Sequence, residues 1–256
     1  MLKAIIFDVD GTLADTESYH LQAFNKAFAH LNINWYWDEE TYTDLLQITG
    51  GKERLLHYWC TYHEDDYERQ TLDAIKHRIT TLHQLKTAFY TQLASNPGIP
   101  LRPGIKELII NAHQQNIQLA IATTTTPDNI AALLQKHFGT YWQDYFVVIE
   151  DASTAELKKP HPQAYLQALE RLGLPASNCL VIEDSRNGFL AAQDAGLEVV
   201  ITPTRFTRHQ HCSGAYMRIH NLTRPLACLQ DWQQDFQKKD QGYANTKKNN
   251  FDAIPY

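Results

Sequence analysis

Two aspartates one residue apart, Asp8 and Asp10, close an apolar run and enter a glycine turn in Lys3-Ala4-Ile5-Ile6-Phe7-Asp8-Val9-Asp10-Gly11-Thr12-Leu13. The run reads as a buried strand. Strand side chains alternate between faces, but the turn at Gly11 releases Asp10 from that alternation. Both carboxylates can then reach one site at the carboxyl end of the strand, where open α/β sheets bind ligands. Anions so close repel, and a hard divalent cation such as Mg²⁺ relieves the repulsion. The arrangement suits a metal-assisted carboxylate nucleophile with an acid/base neighbour, as phosphoryl transfer requires. A strand ending in solvated acids at an ordinary turn is the plain alternative.

Three later loops carry the complementary groups. Thr123-Thr124-Thr125-Thr126 follows an apolar run, and hydroxyls with free backbone N–H groups suit phosphate oxygens. Helix capping by Thr126 is the competing use. Lys158-Lys159-Pro160-His161-Pro162 holds a lysine beside a proline, able to neutralise both carboxylates and a transferring phosphoryl group. Alone it would read as a surface lysine pair. Glu183-Asp184-Ser185 follows a further apolar run and adds carboxylates for a metal, or two acids at a helix start. Each loop is weak singly. Their succession after separate strands is the signal.

The elements that must position these loops are legible in the periodicity. Residues 15–94 are helical in pattern, with Leu21, Phe24, Phe28 and Leu31 at helical spacing and Asp15 or Thr16 as N-cap. A longer stripe runs through Leu72, Ile75, Ile79, Leu82, Phe89 and Leu93 and stops at Ser95-Asn96-Pro97-Gly98, a breaker and hinge. From residue 101 strands and helices alternate: strands over 117–123, 145–149, 179–182 and 197–201, with helices between them. This alternation predicts an α/β fold, a Rossmann-like parallel sheet with helices on both faces. Residues 1–14 and 95–230 form that core, and 15–94 an inserted all-α cap. Past Leu229 the chain turns polar, so 231–256 reads as a flexible tail.

Composition narrows the class. The 256 residues are 43% hydrophobic and 20% charged, enough for a sizeable core in a soluble globular protein. A formal net charge of −6 argues against nucleic acid or an anionic membrane as partner. Cys60, Cys179, Cys212 and Cys228 lack paired spacing, which points to reduced thiols in a cytoplasmic protein. The chain enters a strand at once, leaving no room for a targeting peptide, and no apolar run approaches the ~20 residues that span a bilayer.

Taken together, DVDGT, Thr123, Lys159-Pro160 and Glu183-Asp184-Ser185-Arg186-Asn187-Gly188 resemble the haloacid dehalogenase (HAD) superfamily. The helical insertion after the first motif is similar to the cap of its β-phosphoglucomutase-like branch. Within that branch, Gly11 to Glu17, Thr49-Gly50-Gly51-Lys52-Glu53-Arg54, Leu101-Arg102-Pro103-Gly104-Ile105 and Thr204 to His209 resemble the CbbY-type subgroup. The resemblance implies Asp8 as the nucleophile that forms an aspartyl-phosphate and Asp10 as the acid/base. It implies Mg²⁺ held by Asp8, the Asp10 carbonyl and Asp184, with Glu183 in support, and phosphate held by Thr123, Thr124 and Lys159. It also implies the substrate, xylulose-1,5-bisphosphate, an inhibitor of Rubisco. The sequence does not settle the oligomeric state, and a monomer is expected. Cap residues Glu17, His20, Tyr42, Gly51, Lys52 and Arg54 would meet the sugar and its distal phosphate, Arg54 either there or paired with Glu53. Alternatives on the same scaffold are a phosphomutase, which the Thr49–Arg54 segment disfavours, and a broad sugar-phosphate phosphatase. A non-catalytic binding protein would require a damaged site, and every motif residue is intact.

Overall fold

Short apolar runs make the centre of the molecule, because strands covered on both faces have no polar side to show. β1 (Ala4–Phe7) is buried at every position. In the computed structural model, which describes residues 1–240, it is joined by β2 (Gln118–Ala122), β3 (Val148–Glu150), β4 (Cys179–Glu183), β5 (Glu198–Ile201) and β6 (Met217–Arg218). All neighbours pair in parallel, in the order β3-β2-β1-β4-β5-β6. Phe7 lies level with Ile121 of β2 and Ile182 of β4. The loops leaving these three strands therefore open at one end of the sheet. The crevice falls where the strand order reverses, the usual ligand position in such sheets.

Between β1 and β2 run α1 (Glu17–His30), α2 (Glu39–Leu45), α3 (Gly51–Tyr62), α4 (Glu64–Glu68) and α5 (Leu72–Leu93). They bury an aromatic core of their own, in which Trp37 meets Phe24 at 4.6 Å and Phe28 at 5.1 Å between ring centres. Asp38 and Thr71 cap α2 and α5 by accepting the Thr41 and Ala74 N–H groups. Leu72, counted in the apolar stripe, opens α5 and is exposed instead. The stretch Ala94–Gly98 ends the helical unit, and Ala14 bridges Leu101 where the two connections pass.

The remaining helices cover the sheet. α6 (Ile105–Gln114), α7 (Pro127–Phe138) and α10 (Pro225–Asp240) pack with Ile5, Phe7, Ile121 and Ile182. α8 (Gln163–Leu172) and α9 (Arg186–Asp194) pack with Ala4, Ile6, Ala120 and Val181 on the other face. Two expectations need correction. The strand expected over 145–149 starts later, at Val148, because Trp142–Tyr145 forms a 3₁₀ turn. The tail expected over 231–256 does not begin at 231. Residues 231–240 continue α10, whose Leu229, Trp232 and Phe236 are fully buried at helical spacing. Residues 241–256 lie outside the described part.

Trp232→Ala should therefore cost roughly 3–5 kcal/mol in urea unfolding, as for other large buried side chains. A change within about 0.5 kcal/mol, the usual effect at an exposed site, would mean that α10 is not docked.

Candidate active site

Asp8 leaves β1 directly into a buried ionic cluster. Lys159, on the loop between β3 and α8, donates to Asp8 Oδ1 at 2.7 Å and to Glu183 Oε1 at 2.6 Å. Glu183 ends β4, and its two oxygens are fully engaged. Oε1 also accepts the Tyr165 hydroxyl at 2.8 Å, while Oε2 accepts the Asp184 and Ser185 N–H groups and the Ser185 hydroxyl. The Glu183 carboxylate packs so close to α9 that any side chain at Gly188 would overlap it. Gly11, at φ +85°, likewise leaves room for the Asp184 carboxylate against the loop after β1.

Three carboxylates, Asp8, Glu183 and Asp184, offer oxygens within 4.8 Å of one another, all buried. Burial raises the pKa of Asp8 to about 7, with Lys159 pulling the other way and Glu183 and Asp10 adding to the rise. Burial and the neighbouring charges of Glu183 and Asp8 hold Asp184 well above the usual carboxylate range. Burial opposes the charge on Lys159, but Asp8 and Glu183 outweigh it and keep the ammonium firmly protonated. One ammonium among three acids leaves the cluster short of positive charge. The all-oxygen donor set fits a hard divalent cation.

Asp10 takes a different partnership. Its Oδ1 accepts the Thr16 hydroxyl at 2.7 Å and lies 2.9 Å from His20 Nε2. Thr16 is the N-cap of α1, yet its hydroxyl makes no cap bond and serves Asp10 instead. On the far side of the ring, Lys86 Nζ sits 2.8 Å from His20 Nδ1. Burial lowers the His20 pKa, as does the Lys86 charge, so the ring is neutral. Nδ1 then accepts from the ammonium, and the Nε2 proton points at Asp10. Tyr90 stacks on the same ring at 4.1 Å. Burial favours neutral Asp10, but these hydrogen bonds and the positive charge around it win and hold its pKa below the carboxylate range.

These groups open on a cavity of about 620 Å³ lined by both units of the chain. Its floor holds Asp8, Asp10, Thr123, Thr124, Lys159 and Asp184, so the expected core residues converge. The Thr126 hydroxyl and Asn129 Oδ1 are buried at its edge and find no hydrogen-bond partner among the described residues. Its roof holds Glu17, His20, Thr49, Gly50, Gly51, Arg54, His83 and Lys86.

Two cap expectations change. Lys52 is exposed on α3 and stands outside the lining, because Gly50 and Gly51 turn the helix start, and not its outer face, toward the cavity. Tyr42 is fully buried behind the wall, donating to Glu17 at 2.6 Å and accepting from Arg54 at 3.1 Å. Arg54 also donates to the carbonyls of Leu45 and Ile48, while Glu53 pairs with Lys158. Lys86 and Tyr165 were not foreseen, and Arg102 and Thr207, though in segments that carry the resemblance, were given no role. Lys86 had a signal, a lysine on the buried stripe Leu82–Lys86–Tyr90. Arg102 donates to the carbonyls of Gly11, Thr202, Pro203 and His220, tying loops that meet only in three dimensions.

A family model described as haloacid dehalogenase-like hydrolase matches residues 2–196. The plasmid CbbY protein of Cupriavidus necator is 50% identical over 224 residues, covering 88% of this chain and 87% of the relative. A crystal structure of CbbY from Rhodobacter sphaeroides in complex with phosphate superposes with a TM-score of 0.78 at 40% identity, over 88% of this chain and 96% of that one. A mutant of that protein was solved in complex with xylulose-(1,5)bisphosphate. A phosphoglycolate phosphatase of Photobacterium profundum is 32% identical over 78% of this chain and 82% of the relative.

Burial lowers the Lys86 pKa from 10.5 to about 8, against the opposing charge of Asp10. Between those values the unfolded chain holds the extra proton, so folding stability gains from rising pH. Urea unfolding from pH 8 to 10.5 should show wild type gaining stability relative to Lys86→Met. Parallel curves for the two proteins would mean that Lys86 is solvated, with an ordinary pKa.

Proposed function

The chain belongs to the haloacid dehalogenase-like hydrolases and is a phosphatase; we propose that it removes phosphate from a sugar bisphosphate, xylulose-1,5-bisphosphate above all, with Mg²⁺ and through an aspartyl-phosphate on Asp8. One observation carries this reading: Asp8 and Asp10 share the floor of one cavity but are held in opposite ways. Among the described residues, Lys159 is the one side chain that donates to Asp8, at Oδ1, which leaves Oδ2 for attack, whereas Asp10 is clasped by Thr16 and His20. That is a nucleophile beside a proton carrier.

In the first half-reaction an Asp8 oxygen forms a bond to phosphorus and the bond from phosphorus to the sugar oxygen breaks. Asp10, protonated once the phosphate's negative charge enters beside it and opposes its own, gives the leaving oxygen its proton. In the second, water attacks phosphorus, Asp10 takes the water proton, and the Asp8–phosphorus bond breaks. Thr123 and Lys159 hold the phosphoryl oxygens throughout. Asp8 and Asp184 would hold Mg²⁺ together with the Asp10 carbonyl, Glu183 being spent on Lys159, Tyr165 and Ser185. The bound ion would neutralise phosphoryl charge beside Asp8.

The roof gives the reason to prefer a bisphosphate. The start of α3, whose first turn has no side-chain cap, lines the cavity at Gly50 and Gly51 together with Lys86 and His83, and a helix start suits an anion. A relative solved with xylulose-1,5-bisphosphate supports the same substrate here. Glu17 and His20, on the first turns of α1, face the sugar between the two ends.

Phosphate release from a sugar-phosphate panel with Mg²⁺ tests the reading. Xylulose-1,5-bisphosphate should give the highest kcat/KM, with β-glucose 1-phosphate converted slowly and not isomerised; isomerisation would make the chain a mutase. Asp8→Asn should abolish turnover, and Asp10→Asn should lower kcat by roughly 10²–10⁴. Wild-type hydrolysis by Asp8→Asn would exclude covalent catalysis at that residue. The cation makes its own prediction. Its ligands must be ionised, and the Asp8 pKa stands near 7 in its absence. The rise in Tm caused by Mg²⁺ should therefore be larger at pH 8 than at pH 5.5, and vanish in Asp184→Asn. A rise independent of pH would place the ion elsewhere.

A further inference from the structure

One tight turn, Thr204-Arg205-Phe206-Thr207, touches both the carboxylate cluster and the helical cap. The turn is internally rigid. The Thr204 N–H donates to Thr207 Oγ1 at 2.9 Å, the Phe206 N–H to Thr204 Oγ1 at 3.2 Å, and the Arg208 N–H to the Thr204 carbonyl at 2.9 Å. Thr207 thus accepts from Thr204 and spends its own proton on Asp184 Oδ2, at 3.0 Å. Both partners are largely buried at the edge of the cavity, which strengthens the bond relative to one in open water.

The adjacent residue points the other way. Phe206 leaves the α/β core and is buried in the aromatic cluster of the cap, edge-on to Tyr42 at 6.1 Å. It belongs to no cluster of its own sheet. Arg205 adds a hydrogen bond to Ser18, at the start of α1, and a long, exposed ion pair to Glu39. Ser18 lies between Glu17 and the helical turn that delivers His20. Tyr42, which Phe206 meets, donates to Glu17. The base of the turn is fastened as well: Thr202 donates its N–H to the Glu183 carbonyl at 2.7 Å, and Arg102 links the Thr202 and Gly11 carbonyls. With its base fixed and its hydrogen bonds closed, the turn cannot move Phe206 without moving Thr207.

We propose that Thr207 is the positioning residue for Asp184, and that Phe206 makes this positioning depend on a docked cap. The turn then aims one oxygen of Asp184 at Thr207 and leaves the other for the cation. When the cap lifts, Phe206 loses its aromatic seat and the turn loosens. Asp184 is then free to rotate toward the buried acids beside it, which weakens the cation site. If the cap docks over substrate as lids commonly do, the complete cation site coincides with a sealed cavity. A polar residue at 206 would forfeit the burial in the cap that, with the exposed Arg205 contacts, holds the turn there.

The proposal rests on the reading of Asp8 and Asp184 as a Mg²⁺ site, and its test uses Mg²⁺ alone. Calorimetric titration of Mg²⁺ into the full chain, without substrate, should give Thr207→Val a Kd at least about tenfold above wild type, the range for lost outer partners of metal ligands. Thr207→Ser keeps the hydroxyl and should restore binding. Phe206→Ala, or Phe206→Leu if the alanine variant does not fold, should weaken Mg²⁺ binding although Thr207 is intact. The Phe206→Ala/Thr207→Val pair should bind no worse than Thr207→Val, since both act through one turn. Unchanged binding in Thr207→Val overturns the positioning role, and additive losses in the pair overturn the link to the cap. A wild-type chain that binds no Mg²⁺ at all overturns the cation reading and this proposal with it, whatever the phosphatase assays show.

Discussion

The ammonium of Lys159, shared between Asp8 and Glu183, is the constraint around which the rest is arranged. Three buried carboxylates and one buried lysine cannot be neutral together, and burying unbalanced charge costs several kcal/mol per ion. The fold tolerates this because every oxygen of Glu183 is hydrogen-bonded, by Lys159, Tyr165, Ser185 and the backbone that follows it. Glu183 is thereby fixed as the counter-ion that aims Lys159 at Asp8. Asp8 and Asp184 are left with less support, and their raised pKa values record the deficit. The imbalance has a chemical use. A cluster that lacks positive charge takes up a cation, and a nucleophile poorly solvated by its surroundings is reactive toward phosphorus.

The sheet explains why such a cluster can form at all. β1 and β4 are adjacent and in register, so residues just beyond Phe7 and Ile182 must lie side by side. Asp8 and Glu183–Asp184 need no special folding to meet. Lys159 arrives from the loop beyond the edge strand β3 and has to cross β2 to reach them. The helix that follows, α8, sends Tyr165 to the same carboxylate, so lysine and phenol come from one segment. Positioning of the ammonium is thus inherited from the packing of α8 on the sheet.

This construction also explains what could be read in advance. Asp8, Asp10, Thr123, Lys159, Glu183 and Asp184 each stand within a few residues of a strand end or of a breaker, so local pattern and parallel topology suffice to bring them together. Lys86 depends on packing between α1 and α5, sixty-six positions apart from His20, and charge at a stripe position was the sole clue. Thr207 and Arg102 act across loops whose meeting no periodicity encodes. Lys52 was misplaced for a related reason: composition marks a cation near the glycines, but only the helix axis decides that its start faces inward. In α10 the polar composition hid an apolar stripe of just three large residues, Leu229, Trp232 and Phe236. The two-residue β6 is too short to carry any pattern.

The cap does more than roof the cavity. Asp10 belongs to the core, yet both groups that hold its carboxylate, Thr16 and His20, belong to the first turns of the cap. Lys86, which fixes the His20 tautomer, comes from the last cap helix. The proton-carrying power of Asp10 is therefore a property of two units in contact, not of either alone. With the cap displaced, Asp10 would face water without its donors and revert toward an ordinary carboxylate. Attack by water on an unprotected aspartyl-phosphate would then lack an oriented base, while with the cap docked the carboxylate is held in place and stray water is shut out. Placing the partners of one carboxylate across the seam makes chemistry conditional on closure without any additional moving part.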